Sequence, residues 1–103
     1  MDKIDFNGLD TTVHGPLRLG ILSSLQSQGK LDFTDLKKQL EAVDGSLSMH
    51  LRKLEEVGYI SCHKGFVGRR PKSTYSITRK GKKALIQYLD SMQTLINQLK
   101  ASG

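Results

Sequence analysis

Only six residues, Glu41-Ala42-Val43-Asp44-Gly45-Ser46, separate Leu40 from Leu47, and each of these leucines belongs to its own helical pattern. Upstream, Thr34 is placed to cap a helix, with Asp35 in its first turn and Leu36 and Leu40 turned inward. Downstream, Leu47, Leu51 and Leu54 form the inward row of a helix running from about Asp44 to Val57, which Gly58 ends. So short a connection forces the two helices into a tight turn and a steep crossing. That arrangement is a helix-turn-helix, with Gly45 near the turn.

The flanking segments extend the pattern. Asn7 is placed to cap a short helix through Val13, and Gly15-Pro16 then breaks the chain. Pro16 suits the first turn of a new helix, where its missing N–H costs nothing. Leu17, Ile21, Leu22 and Leu25 give that helix one apolar face, and Gly29 stops it. Leu31-Asp32-Phe33 is long enough only for a stub of strand. After Gly58 the period changes to two. Tyr59–Cys62 and Ser73–Thr78 are rich in β-formers, and His63–Lys72 between them, with two glycines and a proline, reads as a long hairpin loop. Thr78 then caps a last helix running to about Lys100, roughly 33 Å long. The expected fold is mostly α with a small β-hairpin. Residues 1–80 form a winged helix-turn-helix, and residues 81–103 form a long C-terminal dimerisation helix in the same globular unit.

Charge is concentrated rather than spread. The 103-residue chain carries a formal +6, yet residues 1–45 sum to −2 and residues 84–103 to zero. Residues 46–83 hold ten Lys or Arg against two Asp or Glu, a balance of +8. Such a localised excess is an electrostatic footprint for a polyanion. DNA, RNA and an anionic membrane surface all satisfy it.

The segment from Leu47 to Ile60, LSMHLRKLEEVGYI, resembles the recognition helix and first wing strand of small winged-helix transcriptional regulators of the MarR/ArsR type. Gly68–Thr78, GRRPKSTYSIT, is similar to the wing of a group of small archaeal and bacterial regulators, and His14–Leu22 to its first core helix. The resemblance covers about residues 9–90. It implies a transcriptional regulator that binds double-stranded DNA; as a homodimer joined by its last helix it would take a roughly palindromic operator. The family often has Ser or Thr where Val43 stands, which makes Asp44 the expected substitute cap.

The residues point the same way. If the leucine row faces inward, a 100° step per residue puts Met49, Arg52 and Glu56 on the opposite side of the 44–57 helix, with Ser46, Ser48 and Lys53 beside them. The N-terminal part of such a helix enters the major groove. Arg52 suits guanine, Ser46 and Ser48 suit bases or phosphates, and Met49 suits a thymine methyl. Lys53 suits a phosphate, and His50, at the edge of the row, suits packing. Arg69, Arg70 and Lys72 crowd the wing, 63–72, where they suit the phosphate backbone or the minor groove. In the last helix Leu85, Leu89, Met92, Ile96 and Leu99 are spaced 4, 3, 4, 3, a heptad seam that Tyr88 and Leu95 widen. This seam is the expected dimer interface. The remaining readings are a winged-helix protein–protein adaptor and a binder of double-stranded RNA or an anionic surface.

Catalysis finds no support. Asp90, Glu55 and Glu56 make no acid/base pair, and His14, His50 and His63 have no zinc spacing. The cysteine motif of metal-sensing regulators is missing, so neither metal nor cofactor is expected. Cys62, the single cysteine, is expected as a small buried apolar filler, and Asp32 and Asp35 as local capping groups. One cysteine and a Met1–Asp5 start without a basic-then-apolar pattern suggest a cytoplasmic protein. No membrane partner is expected. With no separate sensing domain expected, an effector would have to bind between helices or at the dimer interface.

Overall fold

The computed structural model describes residues 9–102. Seven elements follow in order: α1 (Pro16–Gln28), β1 (Leu31–Asp32), α2 (Phe33–Leu40), α3 (Asp44–Glu56), β2 (Ile60–Val67), β3 (Arg70–Ile77) and α4 (Arg79–Ser102). The strands form one antiparallel sheet in the order β1-β3-β2.

Apolar periodicity places the helices correctly. Ile21, Leu22 and Leu25 of α1, Leu36 of α2, and Leu47, Leu51 and Leu54 of α3 are all buried, and with Leu31, Ile60, Ala84, Leu85 and Tyr88 they make one core. α1 packs against α2, α3, α4 and β3, so it is the central post of the domain. Gly20 allows its close approach to α2, since a Cβ there would lie 2.9 Å from a Leu40 methyl.

The ends of the elements correct several expectations. The Asn7 cap lies outside the described residues. Residues 11–13 form a turn rather than a helix, held by the Asp10 carboxylate accepting from the Thr12 amide at 2.7 Å. α2 is capped not by Thr34 but by Asp32, which accepts from the Asp35 amide at 2.7 Å while the Asp35 carboxylate accepts from the Asp32 amide. This reciprocal box satisfies two orphan amides at once. α3 begins with Val43 in the cap position and no side-chain cap, so Asp44 does not substitute. Asp44 is instead the first helical residue and pairs with Lys37 at 2.7 Å across the turn. Gly45 lies inside α3, and the left-handed residue of the turn is Glu41, at φ 50.

The wing differs most. No long loop runs from His63 to Lys72; β2 and β3 pair without a break from Ile60↔Ile77 to Val67↔Arg70. Only Gly68 and Arg69 turn the chain. Gly68 has φ 63 and Arg69 is not among the positive-φ residues, which fits a two-residue turn with glycine in the first central position. Pro71 fits this ladder. The pair closing a two-residue turn is hydrogen-bonded, so the next, Phe66↔Pro71, is not, and Pro71 sacrifices no bond to β2. β1 reaches β3 only at Thr74 and Tyr75, so Pro71 sacrifices none there either.

α4 spans 24 residues, about 36 Å. Thr78 caps it, accepting from the Gly81 amide at 3.0 Å while its hydroxyl donates to the Gly58 carbonyl at 2.6 Å. The buried residues of α4, Gly81, Ala84, Leu85 and Tyr88, all lie in its first ten positions. Met92, one turn on, still packs against the core, and the helix beyond it projects from the body. The radius of gyration of 15.8 Å reflects this, against about 13 Å for a compact chain of this length.

Candidate nucleic-acid interface

Ser46, Met49, Arg52, Lys53 and Glu56 are exposed along one side of α3, with Ser48 half-buried beside them. The leucine row anchors the opposite side, so these side chains are held on a rigid element. His50 is half-buried at the edge of the row.

The strand register sorts the wing cations. Side chains alternate faces along a strand, and directly paired residues share a face. Ile60↔Ile77, Cys62↔Tyr75, Lys64↔Ser73 and Phe66↔Pro71 therefore share one face, and Val67↔Arg70, Gly65↔Lys72 and His63↔Thr74 the other. The first face is turned toward α3. Cys62, Lys64, Ser73 and Tyr75 line a cleft of about 280 Å³ together with Ser48, Arg52 and Glu55 of α3. Arg52 and Lys64 thus border one cleft. Arg70 and Lys72 lie on the far face, and Lys72 sits 3.6 Å from the Asp32 carboxylate. Arg69 occupies the tip.

Sequence reasoning missed Lys64 because it placed this residue in a loop. Extending the alternation of Ile60 and Cys62 by one step would have found it. Lys80, one of the ten cations of residues 46–83, does not face the cleft. Its ammonium instead donates to the Val57 carbonyl at 2.8 Å, stabilising the end of α3, and lies 5.8 Å from the Tyr59 ring centre.

Within the cleft, Tyr75 is pushed up to about 12, first by burial and then by the neighbouring Cys62 and Glu55. Cys62 is half-buried against it, so it packs at the cleft wall rather than in the core. Among the described residues no cluster of three or more His, Cys, Asp or Glu is arranged to hold a metal. No helix among them is long and apolar enough to cross a membrane.

A central α1, the α2–α3 pair, a hairpin beside α3 and a cationic outer face together fit one description, and residues 17–96 match the winged helix DNA-binding domain family. The chain belongs to this family. It is a small winged-helix regulator of the MarR/ArsR-like type, sharing its fold with solved members of both families. An uncharacterized protein of Methanocaldococcus jannaschii is 37% identical over 73 residues, 71% of this chain and 79% of that protein. The structure of a transcriptional regulator homologue from Pyrococcus horikoshii OT3 superposes with a TM-score of 0.78 at 31% identity, over 85% of this chain and 87% of that one. Bacillus subtilis PadR, solved in complex with operator DNA, matches with a TM-score of 0.62 at 25% identity, over 68% of this chain but only 45% of its own.

The expected dimer seam divides in two. Leu85 and Tyr88 are each 3% exposed and belong to the chain's own core, so they are not available to a partner. Tyr88 is also committed by its hydroxyl, which lies 2.8 Å from His14 Nδ1 in a hydrogen bond. The first turns of the heptad row serve the fold. Met92 is half-buried against the same core, whereas Leu89 is 48% and Leu99 51% exposed, Ile96 is exposed and Leu95 is half-buried.

Proposed function

We propose that this chain is a homodimeric, sequence-specific binder of double-stranded DNA that regulates transcription. α3 lies in the major groove, the wing lies on the backbone or in the minor groove, and the far half of α4 joins two protomers. The observation that carries this reading is the shared cleft of Arg52 and Lys64. It gives a base-reading helix and a phosphate-binding hairpin a common front. The PadR complex with operator DNA supports it by likeness of fold.

The dimer rests on α4. From Leu89 to Ser102 the helix extends about 21 Å past its last buried residue and carries an apolar row. A second copy covers that row most economically, by a two-fold axis. Two-fold pairing asks for a roughly palindromic operator. Double-stranded RNA is disfavoured, because its deep and narrow major groove does not admit α3.

The test is binding to a random-sequence duplex library at several salt concentrations, with an RNA duplex as competitor, and light scattering on the same sample. The reading expects a selectable palindromic DNA sequence, a steep loss of affinity with salt and a dimer mass. Absence of duplex binding would favour a protein–protein adaptor, and preferential competition by RNA would reassign the polyanion.

A further inference from the structure

Phe66 is 75% exposed and Val67 60% exposed, in the last two pairs before the tip of a hairpin otherwise rich in cations. Each large apolar group there faces water with no protein cover. Phe66 shares its face with Pro71 and, two pairs further back, with Lys64. Val67 shares the other face with Arg70 and, two pairs back, with Lys72. The wing end is therefore an apolar wedge with positive charge on both flanks and Arg69 at its apex.

We infer that this wedge enters the minor groove of duplex DNA, with Phe66 pressed against sugar edges and an opened base step. The inference rests on the duplex-binding reading above and deepens it. The minor groove has an apolar sugar lining between two phosphate walls, which matches an apolar centre between two cationic flanks. Size sets the consequence. Paired strands are about 4.7–4.9 Å apart before side chains are added, and the minor groove is only about 6 Å wide. The tip fits only where the groove widens, and apolar side chains that widen it unstack a base step and bend the duplex toward the major groove. Flexible pyrimidine–purine steps open most easily, so the wedge adds a preference for such steps outside the bases that α3 reads.

The probe is a set of duplexes selected from a random library by the wild-type protein, with 2-aminopurine replacing adenine at positions flanking each half-site. Wild-type protein is expected to brighten the fluorophore at one flanking step and to bend the duplex in an end-to-end energy-transfer assay. Phe66→Ala, at an exposed site that the fold does not need, is expected to abolish both signals. It lowers affinity about tenfold, the scale of partly burying an aromatic ring, and leaves the salt slope unchanged. Phe66→Leu keeps most of each signal. Arg69→Ala lowers the salt slope by about one and keeps the fluorescence change. If wild type binds duplex with the expected salt dependence and Phe66→Ala alters neither affinity nor fluorescence, the wedge is refuted while the DNA-binding reading stands. If wild type binds no duplex, both fall. If Phe66→Ala instead abolishes binding to phosphatidylcholine/phosphatidylserine vesicles with DNA affinity intact, the tip is a lipid contact and the inference is overturned.

Discussion

The Tyr59 hydroxyl donates to the Asp10 carboxylate at 2.5 Å, joining the turn before α1 to the residue that opens the wing. Burial pushes the Asp10 carboxyl up, but the Tyr59 hydroxyl and the Thr12 and Val13 amides outweigh it and leave Asp10 below its ordinary value. Tyr59 is pushed up to about 12 by the same hydrogen bond, then by burial and the Asp10 charge.

A pH dependence follows. Unfolded tyrosine titrates near 10, so between about pH 10 and 12 the unfolded chain binds fewer protons than the folded one, and stability falls as pH rises. Tyr75 contributes to the same window. Tyr59→Phe should cost about 1.5–3 kcal/mol at neutral pH and reduce the alkaline loss, and adding Tyr75→Phe should reduce it further. At the acid end, the Asp10 contribution is present above its ordinary value near 3.8 and is lost as pH falls below it. Urea titrations at stepped pH measure both slopes. An alkaline loss of full size in the double variant contradicts the assignment.

Gly81 separates backbone crowding from helix propensity. A Cβ there would lie 2.0 Å from the Tyr59 carbonyl oxygen, which also accepts from the Thr78 amide at 3.0 Å. Gly81→Ala should destabilise by on the order of 3 kcal/mol, lowering Tm by more than about 10 °C, despite the better helix propensity of alanine. Gly45, with open space around it in α3, is the control: Gly45→Ala should stabilise by about 0.5–1 kcal/mol. Thermal melts that rank the two variants equally would contradict the close contact.

Arg52 and Lys64 share a cleft but should separate in binding assays. Arg52→Ala should cost about 1–3 kcal/mol per half-site on selected DNA and little on random DNA. Lys64→Ala should weaken both alike and lower the salt slope by about one, as for a phosphate contact. Equal losses for Arg52→Ala on both DNAs would make it a phosphate contact too.

The two halves of the α4 row should respond oppositely. Ile96→Arg or Leu99→Arg should give a folded monomer with weakened DNA binding. Leu85→Ala should cost about 2–5 kcal/mol of stability, because it empties a core position. Light scattering and circular dichroism on the same samples distinguish the outcomes, and a dimer that survives Ile96→Arg would move the interface elsewhere.

Helix positions were legible in the sequence because each helix buries one apolar row, as Ile21, Leu22 and Leu25 or Leu47, Leu51 and Leu54 show. The length of the wing was not. A hairpin standing clear of the body buries neither face near its tip, so its ladder imposes no apolar alternation. Gly65, Pro71 and the cations there consequently read as loop. Tyr88 was misassigned for a related reason. Heptad spacing shows that a helix face is apolar, but not which part of it the chain covers itself. That depended on where α1 and His14 stand, which is a tertiary fact.

The uninterrupted register from Ile60 to Ile77 also limits how such a wing changes length over evolution. One inserted residue must either bulge out or slip one strand by a step. Slippage would exchange the faces of Lys64 and Phe66 with those of His63 and Val67. Four residues added at the tip, two per strand, lengthen the hairpin by about 7 Å, keep a hydrogen-bonded pair at the turn and leave every older pair in place. A change of four residues therefore keeps both the turn and the two faces of this hairpin, whereas a change of one must rebuild them.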